Sequence, residues 1–489
     1  MTRVVILSYF GIVLAIGAAS HRLFRGTGED YFLATRTIGP FVLLMSLFGT
    51  HMTAFSLLGA SGEAYREGIG VFGLMASSSA LVVPLVFLGI GTRLWRLGKS
   101  RGYLTQVQYF RERYDSDGLG LALFVVLTGL LIPYLLIGVL GGGIALQQIT
   151  AGTVPRWAGS LLICVVVMAY VTSGGLRGTA WANTFQTLVF MILGAAAFFV
   201  VVHRLGGLAR ALDAVEKVAP ELLVRGDAIP PLKMATYLLI PLSVGMFPHI
   251  FMHWLTARRL ETFRLTLVAY PFCIAVVWLP SILLGVLGRA QVPGLEGAAA
   301  NTILVRMIHL EAPEFLAGLL AAGVFAAVMS SLDSQVLSLG TMFTQDVVRH
   351  HALHGRMTER QQVLAGRLFV AVLLLVTFLL SCLSRPSLFS LGIWSFTGFA
   401  ALFPLVAAAL FWKRSTRAGA WASLLTVVVA WTAFFLRSWS VPDGTLGGGV
   451  LPVAVILPLA AAALIGVSLA TAPPRPDRVA IFFPRREAA

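Results

Sequence analysis

Apolar stretches long enough to cross a bilayer follow one another along almost the whole chain, with no polar block between them large enough to fold as a soluble domain. A membrane-spanning helix needs about 20 mostly apolar residues, and in lipid every backbone polar group must be paired within the protein, so a chain of this kind folds as a bundle of helices. The composition agrees, since 58% of residues are hydrophobic and 12% charged, whereas a soluble domain carries roughly 25% charged residues. An all-α polytopic membrane protein is expected. Cys164, Cys273 and Cys382 lie inside apolar stretches without metal-ligand spacing, which points to packing rather than to disulfides or zinc.

Thirteen spans are expected, at 4–20, 38–63, 71–92, 120–147, 157–174, 183–205, 235–256, 265–288, 316–341, 368–384, 388–412, 418–436 and 449–471. They form one transmembrane domain over 1–471, followed by a Pro- and Arg-rich cytoplasmic tail at 472–489. The first span is read as a retained anchor rather than a signal peptide, because Arg22 and Arg25 follow it and only Arg3 precedes it. A net charge of +15 could suggest nucleic acid, but the basic residues sit in short loops rather than on a soluble face. With the N-terminus outside and the C-terminus inside, 24 of the 36 Lys and Arg fall on the inner side, the bias that orients membrane proteins. The longer loops are 206–233 and 345–366. Arg outnumbers Lys and eukaryotic-type extensions are absent, so a bacterial inner membrane is the expected location.

Clusters of small and polar residues inside apolar spans are the informative departures. The second span has Gly49, Thr50, His51, Thr53, Ser56 and Gly59 in its middle, which reads either as a broken helix exposing carbonyl oxygens or as an intact helix packed closely through Gly59 and Gly62. The ninth span has Ser330, Ser331, Asp333, Ser334 and Ser338 within a little over two turns. Paired hydroxyls suit a hard cation such as sodium. Asp333 is either a functional intramembrane charge or a group near the inner end that reaches water. A Gly-rich turn, TSGGLRGTAWANTFQ, separates spans five and six and brings in Arg177, Asn183 and Gln186. In the seventh span Gly245, Pro248, His249 and His253 mark a second discontinuous helix. Each histidine reads as a cargo contact or as an interhelical hydrogen bond.

The stretches DYFLATRTIGPF, LLGASGEAYREG, YVTSGGLRGTAWANTFQ, AAVMSSLDSQVLS followed by TQDVV, and FWKRSTRAGAWASLL resemble, in order and spacing, the sodium:solute symporter family over roughly residues 28–430. That resemblance implies a LeuT-like fold of two five-helix inverted repeats, held within 38–205 and 235–436, whose broken first helices meet at the midplane. It implies a sodium site made of the Gly49, Met52 and Ala327 carbonyls with the Ser330 and Ser331 hydroxyls. It also places His51 and Phe55 near the solute, to which the residues themselves add Ser56, Phe247 and His249. Relatives often read Trp-Thr-Asp where this chain has Trp181-Ala182-Asn183. The neutral Asn183, on the ion path with Asp333, therefore argues for one sodium.

The expected function is sodium-coupled symport of a small organic solute, a monocarboxylate or amino acid by first choice, because a half-helix end and sodium can offset one negative charge. Proton coupling through His51, His249 or Asp333, and a transporter-like sensor, are the alternatives. No HExxH, GxSxG or paired-carboxylate motif supports an enzyme. The expected partners are the solute and the lipid bilayer, with no nucleic acid and no obligatory protein partner.

Overall fold

The computed structural model describes residues 37–352, 357–383, 387–438 and 445–483, with five positions before residue 16. Among these residues the chain is helical, and its one β-type pairing is an isolated bridge between Ile38 and Ala257. The helices that matter here are α1 (Pro40–His51), α2 (Phe55–Glu67), α3 (Phe72–Arg101), α4 (Gln106–Tyr114), α5 (Asp117–Ile149) and α6 (Arg156–Arg204). They continue with α7 (Pro231–Gly245), α8 (Pro248–Leu255), α9 (Leu260–Gln291), α10 (Glu314–His350), α11 (Arg360–Leu383), α12 (Leu388–Phe411), α13 (Arg417–Arg437) and α14 (Val453–Ala470).

Nine helices among the described residues are long and apolar enough to cross a membrane, and eleven spans result when α1 with α2 and α7 with α8 are each counted as one. These eleven coincide with eleven of the thirteen expected spans. Of the other two, 4–20 lies outside the described residues apart from five positions, and 157–174 falls within α6. The Gly-rich segment between spans five and six is not the turn the sequence suggested, because helical backbone runs through it from Arg156 to Arg204. Glycine weakens a helix by about 1 kcal/mol without obliging it to stop. The 49 residues of α6, at about 1.5 Å each, exceed twice the roughly 30 Å of a hydrocarbon core, so this helix has the length of two spans.

The two breaks have different local causes. Between α1 and α2 the axis bends by 61°; Met52 is extended, with ψ 120, and the Thr53 hydroxyl accepts the Phe55 N–H at 2.9 Å, so a side chain starts the new helix where the old one ends. Between α7 and α8 the bend is 52°. There Pro248 opens α8 and Phe247 before it is extended, with ψ 122, as a residue preceding proline must be.

The broken helices are tied at both ends. Ile38 N–H donates to the Thr256 carbonyl and Arg258 N–H to the Ile38 carbonyl, each at 3.1 Å, which joins the chain just before α1 to the chain just after α8. At the opposite end Lys233 of α7 reaches both carboxylate oxygens of Glu67 on α2, at 2.6 and 2.7 Å.

The core gathers around α10. In its most apolar window 83% of residues are buried, against 28% for α11, α13 and α14 at the periphery, and its largest packing partner is α6. Exposed apolar residues follow helical spacing on the outside, Leu81, Leu85 and Leu88 on α3 and Leu364, Leu368, Leu375 and Leu379 on α11, as a lipid-facing stripe requires. The expected loop at 345–366 begins later than its composition suggested, since helical turns continue through Phe343–Ala352. Burial of Asp346 there is offset by Thr105, whose hydroxyl donates at 2.7 Å, and by Arg111 at 3.5 Å. Cys164 and Cys273 are buried as expected of packing residues, whereas Cys382 is exposed.

Candidate functional site

Helix α1 ends in mid-bundle, so its last carbonyls lack the partners that a further turn would supply. Two of them meet side chains from other helices. The Ser330 hydroxyl of α10 donates to the Gly49 carbonyl at 2.9 Å and lies 3.1 Å from the Ala327 carbonyl. Tyr134 of α5 donates to the His51 carbonyl at 3.2 Å. Ser331 donates to Val328 at 3.1 Å and lies 3.5 Å from the Ala327 carbonyl. Gly49, Ala327, Ser330 and Ser331 therefore form one buried oxygen cluster, and Met52 stands fully buried at the adjoining break. Its extended ψ turns the Met52 carbonyl out of the line of α1. Hydroxyl and carbonyl oxygens without a thiolate or imidazole are the donor set of a hard monovalent or divalent cation.

Gly49 is required for the approach of α1 to α6. A Cβ at residue 49 would run into the Thr187 side chain and stand 3.3 Å from the Asn183 carbonyl, and the Thr187 hydroxyl donates to the Met45 carbonyl at 3.0 Å. The closeness of α1 and α6 thus rests on a missing side chain and one interhelical hydrogen bond.

Asn183 and Asp333 are brought together next to this cluster, through Ser334. Asn183 Nδ2 donates to Ser334 Oγ at 2.7 Å, and Ser334 donates to Asp333 Oδ1 at 3.1 Å. Asp333 is fully buried, so the alternative in which it reaches water at the inner end is corrected. The Ser334 hydroxyl supplies a hydrogen bond that offsets part of the cost of burying it.

Four of the five expected solute residues converge on the second break. Phe247 stacks on His249 at 5.1 Å and meets Phe396 at 5.7 Å and Phe399 at 4.9 Å. Phe55 meets Phe396 at 5.1 Å. His51 lies 6.3 Å from Phe247, and its Nδ1 is 2.5 Å from the Tyr270 hydroxyl. Ser56 is buried on α2. The ring of Tyr134 packs on Phe247, His249 and Phe396 while its hydroxyl holds the His51 carbonyl, so one residue touches both halves of the site. His249 is 1% exposed, and neither ring nitrogen has a hydrogen-bond partner among the described residues.

Sequence reasoning missed Tyr134, Tyr270, Phe396 and Phe399, which are aromatic residues within apolar spans and carry no distinguishing signal. It also missed Gln106, at the start of α4, whose Nε2 donates to the Met246 carbonyl at 3.0 Å.

Comparison with known proteins gives one consistent outcome. The family model described as sodium:solute symporter family matches residues 31–426. The chain is 28% identical over 440 residues to the sodium/pantothenate symporter of Escherichia coli (strain K12), covering 86% of this chain and 87% of that one. It is 26% identical over 473 residues to the sodium/proline symporter of the same organism, covering 90% and 89%. Among solved structures, a Na+-coupled sialic acid symporter in a substrate-bound outward-open state superposes with a TM-score of 0.78 at 17% identity over 97% and 98% of the two chains. Mhp1, a nucleobase-cation-symport-1 family transporter in a closed conformation, gives 0.60 at 14% identity over 94% and 99%.

Proposed function

The chain belongs to the sodium:solute symporter family, and from that premise we propose that one sodium ion at the first break is coupled to a solute held at the second. The protein is a multi-pass, LeuT-like membrane transporter that uses sodium as coupling ion for a small organic solute. The sodium ligands are the Gly49, Met52 and Ala327 carbonyls with the Ser330 and Ser331 hydroxyls. The observation that carries this reading is the 2.9 Å reach of Ser330 on α10 to the broken end of α1. With sodium present, the two hydroxyls turn their lone pairs toward the ion and α1 is held to α10 through it. Sodium thereby favours the state in which solute binds, which it can do only through its differential affinity for the two states. Release of sodium frees the broken helices to move.

The solute lies among Phe55, Phe247, His249, Tyr134 and Phe396, with His51 and Ser56 beside it. A buried imidazole without a hydrogen-bond partner costs about 1–3 kcal/mol, and a polar group of the solute relieves that cost at His249. Pantothenate and proline, named for the relatives, each carry one carboxylate, which supports a monocarboxylate or amino acid here. One ion per solute is expected because Asn183 is neutral. The carboxylate joined to it through Ser334, the buried Asp333, is the fixed charge that a second cation would require against a desolvation cost of several kcal/mol, so a coupling ratio near two would assign that ion to Asp333. The bacterial relatives support a bacterial inner membrane, and the charge bias supports an outer N-terminus and inner C-terminus, checked by cysteine labelling of the 206–233 loop from outside. The five-span repeats lie within 38–205 and 235–436, each opening on a broken helix.

The test is uptake into proteoliposomes of a panel of amino acids, monocarboxylates and sugars, with sodium replaced by choline at fixed pH. Accumulation of a monocarboxylate or amino acid that sodium drives and choline abolishes is expected. Accumulation that persists in choline and follows a proton gradient overturns sodium coupling.

A further inference from the structure

His249 and His253 are one turn apart on α8, yet they have opposite surroundings. His249 has no hydrogen-bond partner among the described residues, whereas His253, fully buried, uses both ring nitrogens. Nδ1 lies 3.3 Å from Ser46 Oγ on α1 and Nε2 lies 3.2 Å from Ser334 Oγ on α10. The neighbours fix the direction of these bonds. Ser334 already accepts from Asn183 Nδ2 and gives its own proton to Asp333 Oδ1, so toward His253 it can only accept. Nε2 then carries the proton, Nδ1 is the acceptor, and Ser46 donates to it. The other acceptor within reach of Ser46, the Leu43 carbonyl, is farther at 3.5 Å. A continuous chain of hydrogen bonds results, running from α1 through α8 to α10 and α6.

The position of this chain gives it its consequence. Ser46 is three residues before Gly49, and Ser334 is four residues after Ser330, so about one helical turn separates the two contacts on each helix. At the first contact α10 and α1 touch directly, hydroxyl to carbonyl. At the second they are spaced by an imidazole supplied from α8. The ring is a wedge between the two helices proposed to carry the sodium ligands, and it belongs to the helix that carries the solute residue His249 toward its other end, with Phe247 just before it.

We propose that His253 is a positioning residue that transmits occupancy of the sodium cluster to the second broken helix. Any change in the spacing of α1 and α10 at Gly49 and Ser330 alters the distance between Ser46 and Ser334, and the doubly bonded ring carries that change into α8. The inference rests on the reading of the Gly49–Ser330 cluster as the sodium site, and it assigns the coupling between ion and solute to a side chain that touches neither.

Hydrogen–deuterium exchange of the full-length protein in detergent, with sodium chloride against choline chloride, tests it without knowledge of the solute. In the wild type, sodium is expected to slow exchange at the α1 break and around Ala327–Ser331, and to slow exchange in Pro248–Leu255 by roughly threefold or more. In His253→Phe, which keeps the ring and removes both bonds, protection at the α1 break and α10 is expected to remain while the response of α8 disappears. Ser46→Ala, which cuts one bond and leaves Ser334 with Asn183 and Asp333, is expected to do the same and serves if His253→Phe fails to fold. A sodium response of α8 that persists in Ser46→Ala overturns the proposal, as does a wild-type protein in which sodium protects α1 and α10 but not α8. Absence of sodium protection everywhere in the wild type would instead overturn the sodium site itself.

Discussion

The two broken helices occupy corresponding places in the two halves of the chain, yet the groups they expose differ. At the first break the carbonyls of Gly49 and His51 are met by hydroxyls, from Ser330 and Tyr134, and the surroundings are small and oxygen-rich. At the second break the Met246 carbonyl is already taken by the Gln106 amide, and the free face is built of rings, Phe247, His249, Tyr134, Phe396 and Phe399. A hydroxyl can either donate to a carbonyl or turn its oxygen to a cation, so the first break can exchange a hydrogen bond for an ion. An amide donor bonded to a carbonyl has no such alternative for its N–H. On the reading proposed above, this difference assigns the ion to the first break and the solute to the second, the distinction being made by the residues that cap each break.

Three substitutions would break or sharpen that distinction. The largest effect is expected for Gly49→Ala, whose Cβ would collide with Thr187 and approach the Asn183 carbonyl. Overpacking of this kind costs about 1–3 kcal/mol, so the sodium concentration for half-maximal uptake should rise by about fivefold to a hundredfold. Adding Thr187→Ala should restore part of it by removing the obstructing hydroxyl. If the double variant is no better than the single one, the close approach of α1 and α6 is not what Gly49 provides.

At the other break, His249→Phe keeps a ring against Phe247 and Tyr134 and removes the unpaired nitrogens. Loss of one hydrogen bond to the solute, about 1 kcal/mol, should weaken solute binding roughly fivefold and leave the sodium dependence unchanged. Competition binding of the solute found in the uptake panel measures the first quantity, and sodium titration of uptake the second. Equal loss of both would assign His249 to packing.

The smallest effect is expected for His51→Ala, since His51 belongs to α1 but points its ring to Tyr270 and Phe247. Solute affinity should fall about threefold while sodium affinity changes by less than about twofold, because the neighbouring Gly49 and Met52 carbonyls are backbone groups that the substitution keeps. A fall in sodium affinity with solute binding intact would move His51 to the ion side.

Much of this site was legible in the sequence because the bilayer makes polarity conspicuous. Gly49, His51, Ser330, Ser331 and Asp333 stand out in spans that would otherwise be apolar, and Pro248 marks a break whose cause is steric. What the sequence hid follows from the same rule. Tyr134, Tyr270, Phe396 and Phe399 are as apolar as their neighbours, so nothing sets them apart before the helices are packed. His249 and His253 were equivalent in spacing and separated only when α1 and α10 supplied serines to one of them. Gln106 sat in a basic stretch between spans, and the burial of Asp346 depended on Thr105 and Arg111, far away in the chain. Helical backbone through the Gly-rich segment of α6 was hidden because glycine permits a turn without enforcing one.

The account is tested most directly by equilibrium binding of radioactive sodium to purified protein, comparing the wild type with the Ser330→Ala, Ser331→Ala pair and with His249→Phe. The wild type should bind one sodium per chain, the serine pair should weaken that binding at least about tenfold, or about 1.4 kcal/mol, and His249→Phe should leave it unchanged. Undiminished sodium binding in the serine pair, or its loss in His249→Phe, would contradict the assignment of ion and solute to different breaks.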